Sequence, residues 1–394
     1  MRIALFHNLP PGGARRAMFE LTRGTHERHS YDLYRLAQDE DGDPVRAAQD
    51  PASLCKEVYD YRLGRGIRSV LPGDLGRLGA IPALARVEAR MAADIDGRGY
   101  DLVVVHHCRV TQSPALLRHV RTPSVYYVQE PRRASFEYAE MRAHRVERGR
   151  AGRPSRMIDL AFDRWMGISD VRAARAAGTL LANSIYSTES IARAYGRQAR
   201  VCYLGTDPDV FSLVEGSREG VVSVGALQSM KGHHLVVEAC GRISPHERPS
   251  VTIVYEREEA RYRAFLEELA ASAGVDLRLR RSVTDVELAA MYGAAAVAVG
   301  AASLEPFGLS LVEALACGTP VVAVAEGGYR EIIDEGSNGV LTERRTEALT
   351  QAIKEVLGAP ARFTPAALRA SVLPRFSWAT AADRYDLALQ EATR

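Results

Sequence analysis

Lysine is scarce in this chain: of 51 basic residues only Lys56, Lys231 and Lys354 are lysines, and the rest are arginines. The skew reads as compositional, and it makes a lysine in a glycine-rich setting worth noticing. Cysteine is sparse and scattered, at Cys55, Cys108, Cys202, Cys240 and Cys317. No pair has C-x-x-C spacing, which argues against a disulfide framework and against a structural zinc site. Runs of ~20 apolar residues are absent, so no membrane-spanning helix is expected. A large charge excess is missing too: the net charge of +2 gives no reason to expect nucleic acid as a partner. The opening MRIALFHNLP reads as a strand and a turn, not as a signal peptide, and a reducing cytoplasm is the expected location.

What is present is a soluble globular composition, 46% hydrophobic and 25% charged, in 394 residues, enough for two domains. Short apolar runs alternate with amphipathic helical stretches, the pattern of parallel sheets covered on both faces. Strands are expected at Arg2–His7, Asp101–His106, Ser124–Gln129, Leu180–Asn183, Val221–Val224, Val251–Tyr255, Ala296–Gly300 and Pro320–Val324. The alternation restarts near Val221, after a linker containing Gly205, Asp207, Pro208 and Gly216. Residues 1–205 and 206–377 are therefore expected to form two doubly wound α/β domains facing across a cleft. The helix at 378–394 is expected to pack back on the first. Ligands of such sheets bind at the carboxyl ends of the strands.

One segment is the most informative: Glu305-Pro306-Phe307-Gly308-Leu309-Ser310-Leu311-Val312-Glu313, continuing to Gly318-Thr319-Pro320. It follows a strand and opens a helix near Gly308. Gly318 suits the left-handed residue after the helix, and Pro320 stops it. The first amides of such a helix form an anion site. Carboxylates at Glu305 and Glu313 are poor phosphate ligands but good acceptors for hydroxyls on either side of one, such as a sugar and a ribose. In the N-terminal half, Gly12 and Gly13 end a Pro-Pro-Gly-Gly turn that begins a helix and lets backbone approach a ligand. This is no G-x-G-x-x-G fingerprint, which weakens a dehydrogenase reading.

The segment resembles the E-x7-E signature of glycosyltransferase family 4, retaining enzymes of the GT-B fold. The similarity extends over most of the chain and includes Gly327-Gly328-Tyr329-Arg330-Glu331, which is similar to that family's GG-x-x-E element. The resemblance implies that Glu305 holds donor-sugar hydroxyls, that Glu313 holds the ribose diol, and that the Gly308 and Leu309 amides hold the distal phosphate, with Phe307 beside them. It implies a phosphate role for Lys231, which follows Val224-Gly225-Ala226-Leu227. The family arginine after Gly225 is replaced by Ala226, and Arg15, Arg257 and Arg330 are the candidate substitutes. A UDP- or GDP-sugar is the expected donor and substrate, with no cofactor and no metal.

Two loops at strand ends carry candidates for acceptor chemistry, His106-His107 and Gln129-Glu130. In each, a residue able to position or deprotonate a hydroxyl is set beside the expected site. Asp41-Gly42-Asp43 and Asp207-Pro208-Asp209 match D-x-D but lie in turn-rich stretches, and both are read as loops. The arginines between Arg132 and Arg156 are open to two readings, a solvated face or a contact with an anionic acceptor or the inner membrane surface. The expected activity is transfer of a sugar to an acceptor hydroxyl. A pseudo-glycosyltransferase, an epimerase-like enzyme and a non-catalytic nucleotide-sugar binder on the same scaffold are the alternatives. Acceptor and oligomeric state are left open.

Overall fold

The computed structural model describes all residues except 10–11, 38–49, 63–73, 137–152 and 215, and the side chains of 74–80, 134 and 153–162 as well. The chain divides into two compact units, Met1–Cys202 with Ala382–Arg394, and Tyr203–Ala381.

Among the described residues unit 1 is built on seven strands, β1 (Arg2–Asn8), β2 (Ser30–Leu36), β3 (Glu57–Tyr61), β4 (Leu102–Cys108), β5 (Ser124–Val128), β6 (Thr179–Ala182) and β7 (Arg200–Val201). Their order in the sheet is β3-β2-β1-β4-β5-β6-β7, and every pairing is parallel. The principal helices are α1 (Gly13–Thr25), α2 (Asp74–Gly97), α3 (Arg153–Ala176) and α4 (Ile185–Tyr195). One face of the sheet carries Ala4, Phe6, Val103, Val105, Tyr126 and Val128 into a core completed by Leu84, Val87 and Met91 of α2. Both faces are buried, which is why β4 opens on an unbroken apolar run, Leu102 to Val105, with no alternation.

Unit 2 repeats the design with β8 (Val221–Val224), β9 (Val251–Tyr255), β10 (Leu277–Arg281), β11 (Val297–Gly300), β12 (Val321–Val324) and β13 (Gly339–Thr342). The order is β10-β9-β8-β11-β12-β13, again all parallel. Its helices are α5 (His233–Gly241), α6 (Ala260–Ala273), α7 (Asp285–Ala294), α8 (Leu309–Ala316), α9 (Thr346–Gly358) and α10 (Pro365–Phe376). The last helix, α11 (Trp378–Glu391), starts in unit 2 and ends in unit 1, where Arg28 and His29 hold Asp386 at 2.9 and 2.7 Å.

In each sheet the chain first winds one way and then returns to the other side of the first strand. That reversal creates a switch point, between β1 and β4 in unit 1 and between β8 and β11 in unit 2. Crevices at the carboxyl ends of strands flanking a switch point are where open α/β sheets bind ligands.

Candidate active site

The helix that the sequence places after Glu305 is α8, entered through Gly308 at φ 107° and left through Gly318 at φ 74°. Its end is a Schellman motif: the Gly318 amide donates to Leu315 O and the Thr319 amide to Ala314 O. At its start, the Leu309 and Ser310 amides have no preceding turn of this helix to bond. A Cβ on Gly308 would lie 2.7 Å from the Tyr329 ring, so glycine is required there by space as well as by backbone angle.

The downstream Gly327-Gly328 pair holds the Glu305 loop in place. The Gly328 amide donates to Glu305 O at 2.8 Å, and a Cβ on Gly327 would fall 2.2 Å from that same oxygen. Leu304, just before it, adopts φ 48°, a left-handed conformation that costs a leucine on the order of 1 kcal/mol or more. Its amide is held by Glu326 at 3.2 Å. Strain beside a candidate ligand residue is where function is worth seeking.

Lys231 comes from the other side of the switch point. A turn, Ser229–Lys231, follows β8, and Gly232 at φ 70° brings it against β11's exit: a Cβ there would meet Ala301 O at 2.0 Å. The Ser303 amide donates to Met230 O, closing the two loops together. The Lys231 stem lies over Gly225, whose missing Cβ would stand 3.2 Å from Lys231 Cδ. The result is an ion pair, Lys231 Nζ to Glu305 Oε2 at 2.7 Å, with the side chains 34% and 18% exposed. In so accessible a place the pair is worth only ~0.2–1 kcal/mol, so an incoming phosphate can displace the carboxylate from the ammonium.

His233, which sequence reading passed over, sits beneath this loop. Its Nε2 lies 3.2 Å from Gly225 O and its Nδ1 3.0 Å from Ser223 Oγ. Burial pushes its pKa down to about 4, so it is neutral and braces the turn that follows β8. Its one sequence signal was a histidine immediately after Lys-Gly.

Glu313 is buried, and its Oε2 accepts from the Tyr292 hydroxyl at 3.2 Å. Phe307 is also buried, packed edge-on to Phe376 at 5.5 Å between ring centroids. Arg257 follows β9, and its carbonyl accepts from the Leu227 amide, so it lies alongside Ala226, where the family arginine would stand. Its side chain is exposed and makes no hydrogen bond or ion pair among the described residues. Arg330 is exposed, with Nε 3.3 Å from Gly327 O, whereas Arg15 belongs to unit 1 and faces Asp50 at 3.7 Å.

In unit 1, Gly12 caps α1 at φ 134° with open space where a Cβ would stand, as a close ligand approach requires. Gly13 likewise faces open space, while Pro10 and Pro11 lie outside the described residues. The histidines require a correction. His106 and His107 do not stand in a loop after the strand but inside β4, which continues to Cys108. His107 accepts from the Gln129 amide at 2.9 Å through Nε2, its Nδ1 lies 3.1 Å from Gln112, and burial lowers its pKa to about 4. His106 is buried against Tyr127, and burial drives its pKa well below the ordinary value. Neutral, enclosed imidazoles of this kind are poor general bases. Glu130 stays accessible just after β5, 38% exposed and paired with Arg133 at 2.6 Å. Gln129 is tied sideways to Asn183 at 3.0 Å.

Asp207 turns out to shape its own loop, accepting from the Asp209 amide at 3.0 Å, whereas Asp41-Gly42-Asp43 lies outside the described residues. Most of the arginine-rich stretch does too. Of its described side chains, Arg132 pairs with Asp163 at 2.8 Å. Among the described residues no helix is long and apolar enough to cross a membrane.

Two Rossmann-like parallel sheets, the second carrying a cation and a helix mouth at its switch point, define a two-unit α/β protein of the GT-B fold. Sucrose-phosphate synthase from Thermosynechococcus elongatus superposes with a TM-score of 0.76 at 21% identity, covering 99% of this chain and 98% of that one. HepE from Anabaena, solved with UDP and glucose, superposes at 0.72 and 20% identity, over 99% of this chain and 100% of that one. Residues 189–367 match the family model for glycosyl transferases group 1. Among curated proteins, the D-inositol 3-phosphate glycosyltransferase of Geodermatophilus obscurus is 33% identical over 240 residues, 55% of this chain and 53% of the relative. The chain spans about half the length of such relatives in these matches.

Proposed function

We propose that the chain is a retaining glycosyltransferase that moves a sugar from a nucleotide-sugar to an acceptor hydroxyl. The observation that carries this reading is the Lys231–Glu305 pair at the β8/β11 switch point, beside the open start of α8. In the proposed reaction the diphosphate takes the Lys231 ammonium and the amides at the start of α8, those of Gly308, Leu309 and Ser310. Glu305, released from its ion pair, accepts hydrogen bonds from the sugar hydroxyls. Glu313 is assigned to the ribose, which it reaches by exchanging its bond from Tyr292. As the glycosidic bond to phosphate breaks, negative charge grows on the leaving diphosphate. Fixed amide dipoles and an ammonium already aimed at that charge lower the barrier with little reorganisation. Arg257 supplies the second positive charge in place of the family arginine. Acceptor handling is assigned to unit 1, where Glu130 is the accessible carboxylate after β5. The match to the group 1 family model and the UDP bound in HepE support a nucleotide-sugar donor.

Thermal shift against UDP-, GDP-, ADP- and dTDP-sugars identifies the donor, because a ligand that binds only the folded protein raises its apparent stability. NMR of the anomeric proton in the product then reads the stereochemistry. Inversion, or absence of binding to every donor, would overturn the proposal. Ala226 in the arginine's place keeps a second reading alive, a pseudo-glycosyltransferase on the same scaffold. Finding a product joined by something other than a glycosidic bond would favour it.

A further inference from the structure

Unit 1 contains a cavity of about 200 Å³ that none of the assignments above uses. It lies between α2, α3 and the turn that follows β4. At this size it suits one compact molecule and is smaller than a drug-sized pocket.

The lining is divided by chemistry. Glu88 and Thr111 are buried, 0% and 5% exposed, and among the described residues Glu88 Oε1 and Thr111 Oγ1 have no hydrogen-bond partner. The other Glu88 oxygen accepts from the Leu116 amide at 3.3 Å, so the carboxyl is fixed with one oxygen unspent. Leaving a buried polar atom unsatisfied is costly, a cost that a ligand or water in the cavity removes. Burial pushes the Glu88 pKa up to about 8, so at neutral pH it carries a proton and can both donate and accept. A hydroxyl complements such a group; a second carboxylate does not. Arg118 and Arg172 line the same cavity, are exposed, and form no ion pair or hydrogen bond among the described residues. Two uncompensated guanidinium groups favour an anion. Between these polar ends stand Pro82, Trp165 and Ile168, the latter two each 42% exposed. Residues 165, 168 and 172 of α3 recur at helical spacing and so share one face.

We propose that this cavity is a second small-molecule site, which takes a compact hydroxylated anion with its hydroxyls toward Glu88 and Thr111 and its charge toward Arg118 and Arg172. A phosphorylated polyol and a hydroxy-carboxylate share that chemistry. The test separates them and uses the full chain, with Trp165 as reporter.

Titration with glycerol 3-phosphate and with gluconate should change tryptophan emission saturably for at least one of the two, and the responding arm names the source. Trp165→Phe, which leaves Trp378 as the remaining tryptophan, should abolish the signal while calorimetry still records binding. Arg118→Gln and Arg172→Gln, both at exposed positions, should each weaken binding about tenfold or more. Thr111→Val should weaken it less, and Ala85→Phe, which fills the cavity, should remove it with the thermal transition unchanged. Inorganic phosphate and uncharged glycerol should both bind much more weakly than the hydroxylated anions. Equal binding of inorganic phosphate would make this an anion site only, equal binding of glycerol would remove the role of the arginines, and an unresponsive wild-type protein would leave water as the occupant. Any of these three results overturns the proposal. None of the residues changed takes part in the sugar transfer proposed above, so failure here leaves that reading standing.

Discussion

Lys231 is held to Glu305 by a contact that is short but partly solvated, and this sets what its removal should do. Lys231→Ala should leave the fold intact, since so exposed a pair contributes little stability. Turnover should nonetheless fall by ~10² or more, because the ammonium's proposed work is done on the leaving diphosphate. Near-normal turnover by a protein that melts normally would remove the phosphate role. Arg257→Ala should also lower turnover, by ~10-fold or more. An Arg257→Ala enzyme as fast as the parent would show that one cation suffices. Much of this residue-scale pattern was legible: Glu305, Glu313 and Lys231 stand at recognisable spacings around a glycine-shaped helix entry. His233 and the Glu305–Lys231 contact were not, because they depend on how two loops from separate strands meet. His106 and His107 were misplaced for a simpler reason. A strand buried on both faces has no polar alternation to mark its end, so two histidines read as its exit when Cys108 still belongs to it.

At the scale of elements, backbone approach matters more than side-chain chemistry. Gly232→Ala would put a methyl 2.0 Å from Ala301 O in a residue already at φ 70°. The cost should be at least ~2 kcal/mol, lowering the Tm of a unit this size by ~4–8 °C, measurable by calorimetry. A melting point within a degree of the parent would mean that the two loops are free to separate. Helix α7 begins with a complete capping box, Thr284 and Glu287 each bonding the other's backbone amide. Thr284→Ala should cost ~1 kcal/mol, a loss visible in urea unfolding as a lower midpoint. The strongly apolar strands β1, β4, β8, β9, β11 and β12 were readable from their Val, Ile and Leu content. β10 was not, because an edge strand reading LRLRR looks like exposed polar chain until its neighbour is known. Short β13 and the arginine-rich α3 were missed for the same want of a clear period.

For the whole molecule, buried titratable groups set an acid limb in both units and an added alkaline decline in unit 1. In unit 2, burial lowers His233 to about 4 from an ordinary 6.5. The unfolded chain therefore binds a proton between those values that the folded chain refuses, and stability is lost as pH falls from ~6.5 towards 4. In unit 1, His7 is lowered to about 3 and His107 to about 4, chiefly by burial, and His106 well below its ordinary value. These give unit 1 a steeper acid limb. Unit 1 also contains Glu88, raised by burial from 4.5 to about 8. Here the folded state holds the extra proton, so this contribution to stability is full below 4.5 and declines as pH rises to ~8. Below pH 6.5 the three histidines outnumber the buried carboxyls Glu88 and Asp170, both raised by burial, and acid destabilises; between ~6.5 and ~8 the histidines no longer titrate, Glu88 still does, and alkali destabilises. Hydrogen exchange followed separately in the two units should therefore show unit 1 most protected near pH 6.5, after correction for intrinsic exchange rates. Over the same range, up to pH 8, unit 2 should lose protection on the acid side alone. In Glu88→Gln the decline of unit 1 above pH 6.5 should vanish while its acid limb stays. If unit 1 instead gains stability steadily up to pH 8, Glu88 is ionised in the folded protein, and the balance of buried charge described for that unit is wrong.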